Sequence, residues 1–271
     1  GDIFKKSKIL YIYNMKPVEI YRMKDKSESF HIKKGLMFDM PFRIALVGKS
    51  MLSGKTSLAL SLLYQEDSRL YKNEFLPENI FIFSPSARTD FKLKLYIKEK
   101  QIPDSNIFTE YNDQEIDALY EILKENYNEK MDNKEKPEHI LFYFDDMTFG
   151  GQLKKKMNGV ISKIMCNGRH LLLNTIITSQ VYVDLPRCVR EQLTGLIIFS
   201  GTDRQLDTVI EEHNFLEDKK QFRKMYREVT NDPHSFLVVN YSNPMESRYM
   251  NRNFVPIGKC GKPKNGGCKC E

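Results

Sequence analysis

Short runs of apolar residues recur along the chain, and each run is continuous rather than alternating with polar positions. Strands that are covered by helices on both faces of a parallel sheet have such runs, because both sides of the strand are buried. A weaker run at residues 106–110 predicts a further, short strand. The pattern therefore predicts six main strands, at residues 43–48, 79–84, 140–145, 171–179, 196–200 and 235–241.

Amphipathic segments with helical spacing lie between the predicted strands. Asn112 and Glu115 form a capping box ahead of apolar positions that recur every three or four residues. The charged segment 129–138 is predicted to be an exposed loop. Further helices are predicted at residues 153–164, from Pro186 and at Asp203–His213. Strands and helices that alternate in this way predict an α/β fold of three layers with right-handed crossovers.

The two ends of the chain do not share this alternation. Residues 1–40 are predicted to be an extension that adds an edge strand or a small cap, and Met15 is a candidate start, which would make the preceding residues non-native or upstream sequence. Residues 41–254 carry the alternating pattern and are predicted to be the main domain. Residues 255–271 are rich in Lys, Gly and Cys and are predicted to be a flexible tail.

A phosphate-binding loop follows the first predicted strand, where the sequence reads Gly-Lys-Ser-Met-Leu-Ser-Gly-Lys-Thr-Ser. Backbone N–H groups of such a loop and the start of the next helix converge on phosphate, while the lysine supplies a charge and the threonine hydroxyl a Mg²⁺ ligand. Five residues separate the two glycines where four are usual. Either the loop is one residue longer, or Lys49 adopts the bend of the first glycine. The predicted ATP ligands are Gly48, Ser53, Gly54, Lys55, Thr56 and Ser57.

Two acids end the strand at residues 140–145. A carboxylate at this position can hold the hydration shell of Mg²⁺, so Asp145 is predicted to hold the metal together with Thr56. Asp146 is then the candidate base that polarises the attacking water. Glutamate is the commoner base, and aspartate is one methylene shorter.

Polar and basic residues near the next strand are candidates for sensing the nucleotide. Gln180 ends the strand at residues 171–179 and could reach the γ-phosphate or its water; the alternative is a glutamine that only caps the sheet. Arg169 precedes that strand and could act as an arginine finger on the nucleotide of a neighbouring subunit. Arg187 and Arg190 are rival candidates, and a solvated surface charge is the alternative for each arginine.

Composition adds few constraints. The net charge of +6 and pI near 8.9 are compatible with nucleic-acid binding but do not require it. Lys154, Lys155 and Lys156 could contact DNA phosphates or form the solvated face of a helix. Five cysteines do not form a disulfide framework, and three of them crowd the tail without a clear fourth zinc ligand. No run approaches the roughly 20 apolar residues that span a bilayer.

Together these motifs resemble the genome-packaging ATPases of large double-stranded DNA viruses, the poxvirus-type branch of the FtsK–HerA superfamily. The matching pieces are the phosphate loop, Phe144-Asp145-Asp146, Gly168-Arg169-His170, and Thr178-Ser179-Gln180 followed by Leu185-Pro186 and Arg190.

The resemblance implies a RecA/ASCE-like P-loop fold, in which an extra strand lies between the two nucleotide motifs. It also implies a homo-oligomeric ring, a hexamer, that uses ATP and Mg²⁺ to pump double-stranded DNA into a capsid. A capsid or portal-vertex protein is then a partner. The site of action is the viral assembly site in the host cytoplasm, with association with the virion as an alternative.

Other functions are also compatible with these motifs. A plasmid or conjugative DNA translocase has the same core residues, and a nucleotide-dependent switch with slow hydrolysis would have the same loop. A terminase needs a nuclease domain, for which the residues after Gln180 leave little room. A GTPase needs Asn-Lys-x-Asp, which is absent from the sequence, and no arginine-rich lid of a small-molecule kinase is found.

Overall fold

The computed structural model describes residues 26–50, 53–146, 159–216 and 218–258. Apolar runs form its strands, which are buried along nearly their whole length. The strands are β1 (Arg43–Val47), β2 (Ile80–Phe83), β3 (Ile107–Phe108), β4 (Ile140–Phe144), β5 (Leu173–Ser179), β6 (Gly195–Phe199), β7 (Phe236–Asn240) and β8 (Tyr249–Met250).

The described strands form one sheet in the order β3-β2-β4-β5-β1-β6-β7-β8. All pairs from β3 to β6 are parallel, whereas β7 and β8 are antiparallel to their neighbours. Strand β5 lies between β1 and β4, as the resemblance implies for the two nucleotide motifs. The carboxyl ends of the parallel strands therefore meet at one edge, which we call the carboxyl edge; the opposite one is the amino edge.

Seven α-helices connect these strands in the described residues. Side chains of Asp90, Asn112, Thr202 and Asp218 accept N-terminal backbone hydrogen bonds and so fix where four of the helices begin. The helices are α1 (Lys55–Tyr64), α2 (Phe91–Lys100), α3 (Asp113–Asp132), α4 (Val160–Asn167), α5 (Arg187–Glu191), α6 (Asp203–His213) and α7 (Lys219–Val229).

Two hydrophobic clusters cover the two faces of the sheet. One cluster joins Ala45 and Val47 of β1 to α3, α4, α6 and α7. The other joins Ile44 and Leu46 of the same strand to α1 and α2. Because neighbouring side chains of a strand point to opposite faces, β1 contributes to both clusters. The result is the predicted three-layer arrangement of helices on a mostly parallel sheet.

Residues 32–40 pack onto the second cluster, and the described residues that precede β1 add no strand to the sheet. Phe38 is 1% exposed, and its carbonyl accepts a hydrogen bond of 2.8 Å from the Tyr71 hydroxyl. Ile32 and Met40 form an isolated antiparallel bridge. The described part of residues 1–40 thus packs on the main domain, and its predicted role as an edge strand or a cap stays a prediction. None of the described helices is long and apolar enough to cross a membrane.

Several predicted boundaries need correction. Helix α3 continues to Asp132, so the loop predicted at residues 129–138 is shorter. Strand β5 begins at Leu173, because residues Gly168–Leu171 form a 3₁₀ turn. Pro186 precedes α5 as its N-cap instead of starting it. The Ile257 N–H donates to the Tyr249 carbonyl at 3.0 Å, so the folded domain extends beyond residue 254.

Candidate functional site

The phosphate loop leaves the carboxyl edge at the end of β1. The Gly48 N–H donates to the Ser179 carbonyl at 3.0 Å, which joins the start of the loop to the end of β5. A Cβ atom on Gly48 would lie 2.7 Å from Ser53 Cβ and 2.8 Å from Phe199 Cβ. Because real Cβ atoms do not approach so closely, this position requires glycine. The first glycine of the motif is thus explained by packing.

The second half of the loop turns tightly into α1. Ser53 donates to the Lys49 carbonyl through both its N–H, at 3.3 Å, and its hydroxyl, at 2.7 Å. Gly54 has a φ of 82°, a conformation that favours glycine, and α1 begins at the next residue. The loop therefore closes on itself between Lys49 and Ser53, while residues 51–52 lie outside the described residues.

Lys55 lies under the loop, 8% exposed, and its ammonium group donates to the Gly48 carbonyl at 2.6 Å. Burial lowers the pKa of Lys55, and the nearby carboxylates of Asp146 and Asp145 oppose that shift. The Lys55 side chain is thus bonded to the backbone of the loop and lies near the two acids. Ser57, in the first turn of α1, accepts a 2.5 Å hydrogen bond from Lys92 on α2.

Asp145 follows β4 and is 3% exposed. Burial raises its pKa, whereas hydrogen bonds from Thr178, Tyr143 and Ser84 oppose the rise. Its carboxylate accepts four hydroxyl hydrogen bonds, from Thr56 at 3.3 Å, Tyr143 at 2.9 Å, Thr178 at 2.9 Å and Ser84 at 3.3 Å. These partners come from α1, β4, β5 and the end of β2, so the carboxylate is fixed in position by four elements.

Asp146 is oriented by β5. Its N–H donates to Thr178 Oγ1 at 3.0 Å, and the Gln180 amide donates to its two carboxylate oxygens at 3.1 and 3.3 Å. Its φ of 55° lies in the left-handed region, where aspartate is enriched among non-glycine residues. This backbone conformation gives a physical reason for aspartate here in place of the usual glutamate. The base and sensor predicted from the sequence are therefore in direct contact.

The oxygen groups at this edge suit a magnesium ion. Mg²⁺ prefers oxygen ligands and keeps several waters, and P-loop sites supply one hydroxyl and one carboxylate. The Thr56 hydroxyl and the Asp145 carboxylate are adjacent, and Asp145 Oδ1 already accepts three hydrogen bonds. This arrangement is compatible with Thr56 as a direct ligand and Asp145 as an acceptor for metal-bound water, and both roles stay predictions. The described residues contain no cluster of His, Cys, Asp or Glu that would form another metal site.

Arg169 lies at the opposite edge of the sheet from these groups. It stands in the 3₁₀ turn before β5, is exposed, and its Nε lies 3.3 Å from His170 Nε2. Strand β5 has seven residues, so about 20 Å separate the two edges. Arg169 therefore cannot reach the nucleotide loop of its own chain.

The two rival arginines are held by neighbouring acids. Arg190 pairs with Glu212, and its Nε donates to the Leu185 carbonyl at 3.1 Å. Arg187 pairs with Glu191 on the same helix at 2.7 Å. Arg169 and Arg187 are both exposed, whereas Arg190 is half-buried. Both Lys154–Lys156 and the tail cysteines Cys260, Cys268 and Cys270 lie outside the described residues.

Three hydroxyl residues at the site had no role in the sequence interpretation. Ser84, Tyr143 and Thr178 all contact Asp145, and Thr178 also fixes the backbone of Asp146. Thr178 belongs to the motif that ends at Gln180, so the sequence indicated its position. The sequence did not indicate that it contacts Asp145. The signal for Ser84 and Tyr143 is weak, because serine or tyrosine at the end of a strand is common.

A loop between a strand and a helix, with its lysine, threonine and two acids at the carboxyl edge, defines the P-loop NTPase fold. Residues 29–246 match the family described as Poxvirus A32 protein, and the chain belongs to that family. The membership predicted from the motifs is thereby confirmed. No curated protein matches the sequence.

One solved structure supports this fold. The genome packaging NTPase B204 of Sulfolobus turreted icosahedral virus 2, solved with AMPPCP, is 16% identical and has a TM-score of 0.51. The alignment covers 80% of this chain and 99% of that chain. The pCW3 conjugation coupling protein TcpA, with ATPγS, is 14% identical over 75% of this chain and 58% of its own, with a TM-score of 0.46.

Proposed function

We propose that this protein is a Mg²⁺-dependent ATPase that drives double-stranded viral DNA into a capsid. The main support for ATPase activity is the contact between Gln180 and Asp146, which lies near Lys55 and Asp145. It brings together groups for phosphate binding, metal binding and water activation. The family membership and the B204 likeness support the packaging role.

The proposed reaction is hydrolysis of the terminal phosphoryl group. A water held by Asp146 and Gln180 attacks the γ-phosphorus as the bond to the ADP oxygen breaks, and its proton passes to Asp146. Lys55 would offset the negative charge on the phosphoryl oxygens, and a Mg²⁺ ion held by Thr56 and Asp145 would supply further positive charge there. The products are ADP and inorganic phosphate.

Arg169 is proposed to complete the site of a neighbouring subunit. Its exposure and its distance from its own phosphate loop support action in trans, and a closed ring gives every site one such neighbour. We propose a hexameric ring that encloses the DNA and docks on a capsid or portal-vertex protein in the host cytoplasm. The net charge of +6 is compatible with DNA in the ring.

The first test is steady-state ATPase activity with and without duplex DNA. Wild type should be stimulated by DNA, and Lys55→Ala should be inactive. Arg169→Ala should lose about 10³-fold in turnover, the lower range for an arginine finger, while retaining ATP binding. Arg187→Ala is the matched control, because it also removes an exposed arginine. Unchanged turnover in Arg169→Ala together with no effect of DNA would reject the motor and leave a nucleotide switch.

A mixing experiment tests action in trans. Arg169→Ala subunits keep the base, and Asp146→Asn subunits keep the finger, so a mixed ring contains some sites with both groups. Each variant alone should be inactive, and activity should return on mixing. If mixing restores nothing while both variants assemble with wild type, Arg169 does not act on a neighbour's nucleotide.

A further inference from the structure

A cleft adjoins the phosphate loop on the side away from Asp145 and Asp146. The loop residues Lys49 and Ser53 form one wall. The end of β6, at Phe199–Gly201, and the connection from α7 to β7, at residues 230–235, form the rest. The cleft has a volume of about 310 Å³ and is open to solvent. Apart from Ser53, which is a predicted ATP ligand, none of its lining residues was predicted as part of the site.

The order of the strands gives the direction in which a bound nucleotide must run. The groups proposed to act on the γ-phosphate follow β4 and β5, and the phosphate loop follows β1. The remainder of the nucleotide then extends past β1, towards β6 and β7, where the cleft lies. Strand β7 is three strand spacings from β5, about 14 Å.

The cleft offers groups that suit a nucleoside. His234 is exposed, and its Nδ1 would lie 3.8 Å from a Cβ on Gly54, so its ring stands directly beside the loop. The backbone that carries the ring forms a tight turn, in which the Ser235 N–H donates to the Asp232 carbonyl at 3.1 Å. The Asp232 side chain is exposed at the same turn and can accept hydrogen bonds from ribose hydroxyls.

We propose that this cleft is the nucleoside subsite of the ATP site, in which His234 packs against the base and Asp232 accepts hydrogen bonds from the ribose. The inference rests on the proposed ATPase function, since it needs a nucleotide in the phosphate loop. In this proposal, ATP is bound by two groups of residues. Lys55 and the loop hold the phosphates, whereas His234 and Asp232 hold the nucleoside.

The test compares calorimetric binding of ATP with that of inorganic tripolyphosphate, both with Mg²⁺. His234→Gly removes the ring and suits the backbone φ of 60° at this position. It should weaken ATP binding about tenfold, in the range measured for loss of base stacking, and leave tripolyphosphate binding unchanged. Lys55→Ala should weaken both ligands. His31→Ala, which removes another exposed histidine outside the cleft, should change neither.

The role of Asp232 is tested by a separate binding measurement. Wild type should bind ATP more tightly than 2′,3′-dideoxy-ATP, and Asp232→Asn should reduce that preference. Unchanged ATP binding in His234→Gly, with Lys55→Ala defective, would overturn the nucleoside subsite alone. Equal weakening of ATP and tripolyphosphate by His234→Gly would also overturn it, because the ring would then serve the phosphates. Failure of wild type to bind either ligand would instead reject the proposed ATPase.

Discussion

Replacing Thr178 by valine should destabilise the protein, although the two side chains have nearly the same shape. The Thr178 hydroxyl is fully buried, donates to Asp145 at 2.9 Å and accepts from the Asp146 N–H at 3.0 Å. A hydrogen bond to a charged group contributes about 1.5–3 kcal/mol, and a neutral one about 0.5–1.5 kcal/mol. Asp146 is half-buried, so water can replace part of the second bond. The expected loss is about 2–4 kcal/mol.

Thr175→Val is the matched control on the same strand. Thr175 is also buried, but its hydroxyl has no hydrogen-bond partner among the described residues. Removing an unsatisfied buried hydroxyl should leave the free energy of unfolding unchanged or raise it by about 1 kcal/mol. Urea unfolding of both variants at pH 7 measures the difference. Equal destabilisation by the two substitutions would refute the reasoning, since shape rather than hydrogen bonding would then decide the result.

The pH dependence gives a second check on the Thr178 variant. Burial already raises the pKa of Asp145, and the Thr178 hydrogen bond opposes that rise. Its loss should raise the folded-state pKa further. The difference in the free energy of unfolding between variant and wild type should therefore be smallest at acidic pH, where Asp145 is protonated in both proteins. It should grow as the pH rises through the folded-state pKa values. A difference that is constant from acidic to neutral pH would contradict this account.

Three further predictions concern other parts of the fold. Gly195→Ala should lower the free energy of unfolding, measured with urea, by about 1–3 kcal/mol or more. The reason is that its Cβ would lie 2.1 Å from Cε1 of the buried Phe38 ring. Gly48→Ala should abolish tripolyphosphate binding, because its Cβ would lie within 2.8 Å of Phe199 Cβ across the loop. Burial, together with a nearby arginine, lowers the pKa of His213 to about 4, so its contribution to stability is fully present above its ordinary pKa of 6.5. That contribution, about 3 kcal/mol, should be lost as the pH falls towards 4, and His213→Gln should flatten this part of the stability profile.

The strands could be predicted from the sequence because burial on both faces leaves a continuous apolar run. The run at residues 140–145 became β4, and every residue from Ile140 to Phe144 is buried. The beginning of α3 could also be predicted, since the Asn112 side chain accepts from Gln114 N and Glu115 N. Both features depend only on neighbouring residues and on the number of faces that are covered.

Helix α2 shows where such patterns mislead. Its sequence, Phe-Lys-Leu-Lys-Leu-Tyr-Ile-Lys, alternates apolar and charged residues as a half-buried strand does. The structure instead buries Leu93 and Tyr96, three positions apart, and leaves Phe91 and Leu95 exposed. The Asp90 side chain starts the helix by accepting from the Leu93 N–H at 2.9 Å. Helix α7 was also missed, although the spacing of Phe222, Met225 and Tyr226 contained a helical signal.

The site was predictable where one motif supplies the residues and less so where separate strands meet. Lys55 and Thr56 are adjacent residues at the start of α1, and Asp145 and Asp146 are adjacent residues after β4. Besides Thr56 of α1, the hydroxyls around Asp145 come from β4, β5 and the residue after β2. Their convergence requires the order β2-β4-β5, which the apolar runs do not specify. The left-handed backbone of Asp146 likewise follows from its tertiary setting.

The position of Arg169 bears on how many chains make one working site. Parallel strands place the loop and the acids at the carboxyl edge, while the turn that carries Arg169 precedes β5 at the amino edge. About 20 Å of extended strand separates them, and no rotation of the side chain spans that distance. An arginine that acts on a nucleotide from this position must therefore act on that of another subunit. Such a site is complete only between two subunits, so hydrolysis by this route should rise with protein concentration as the chains assemble.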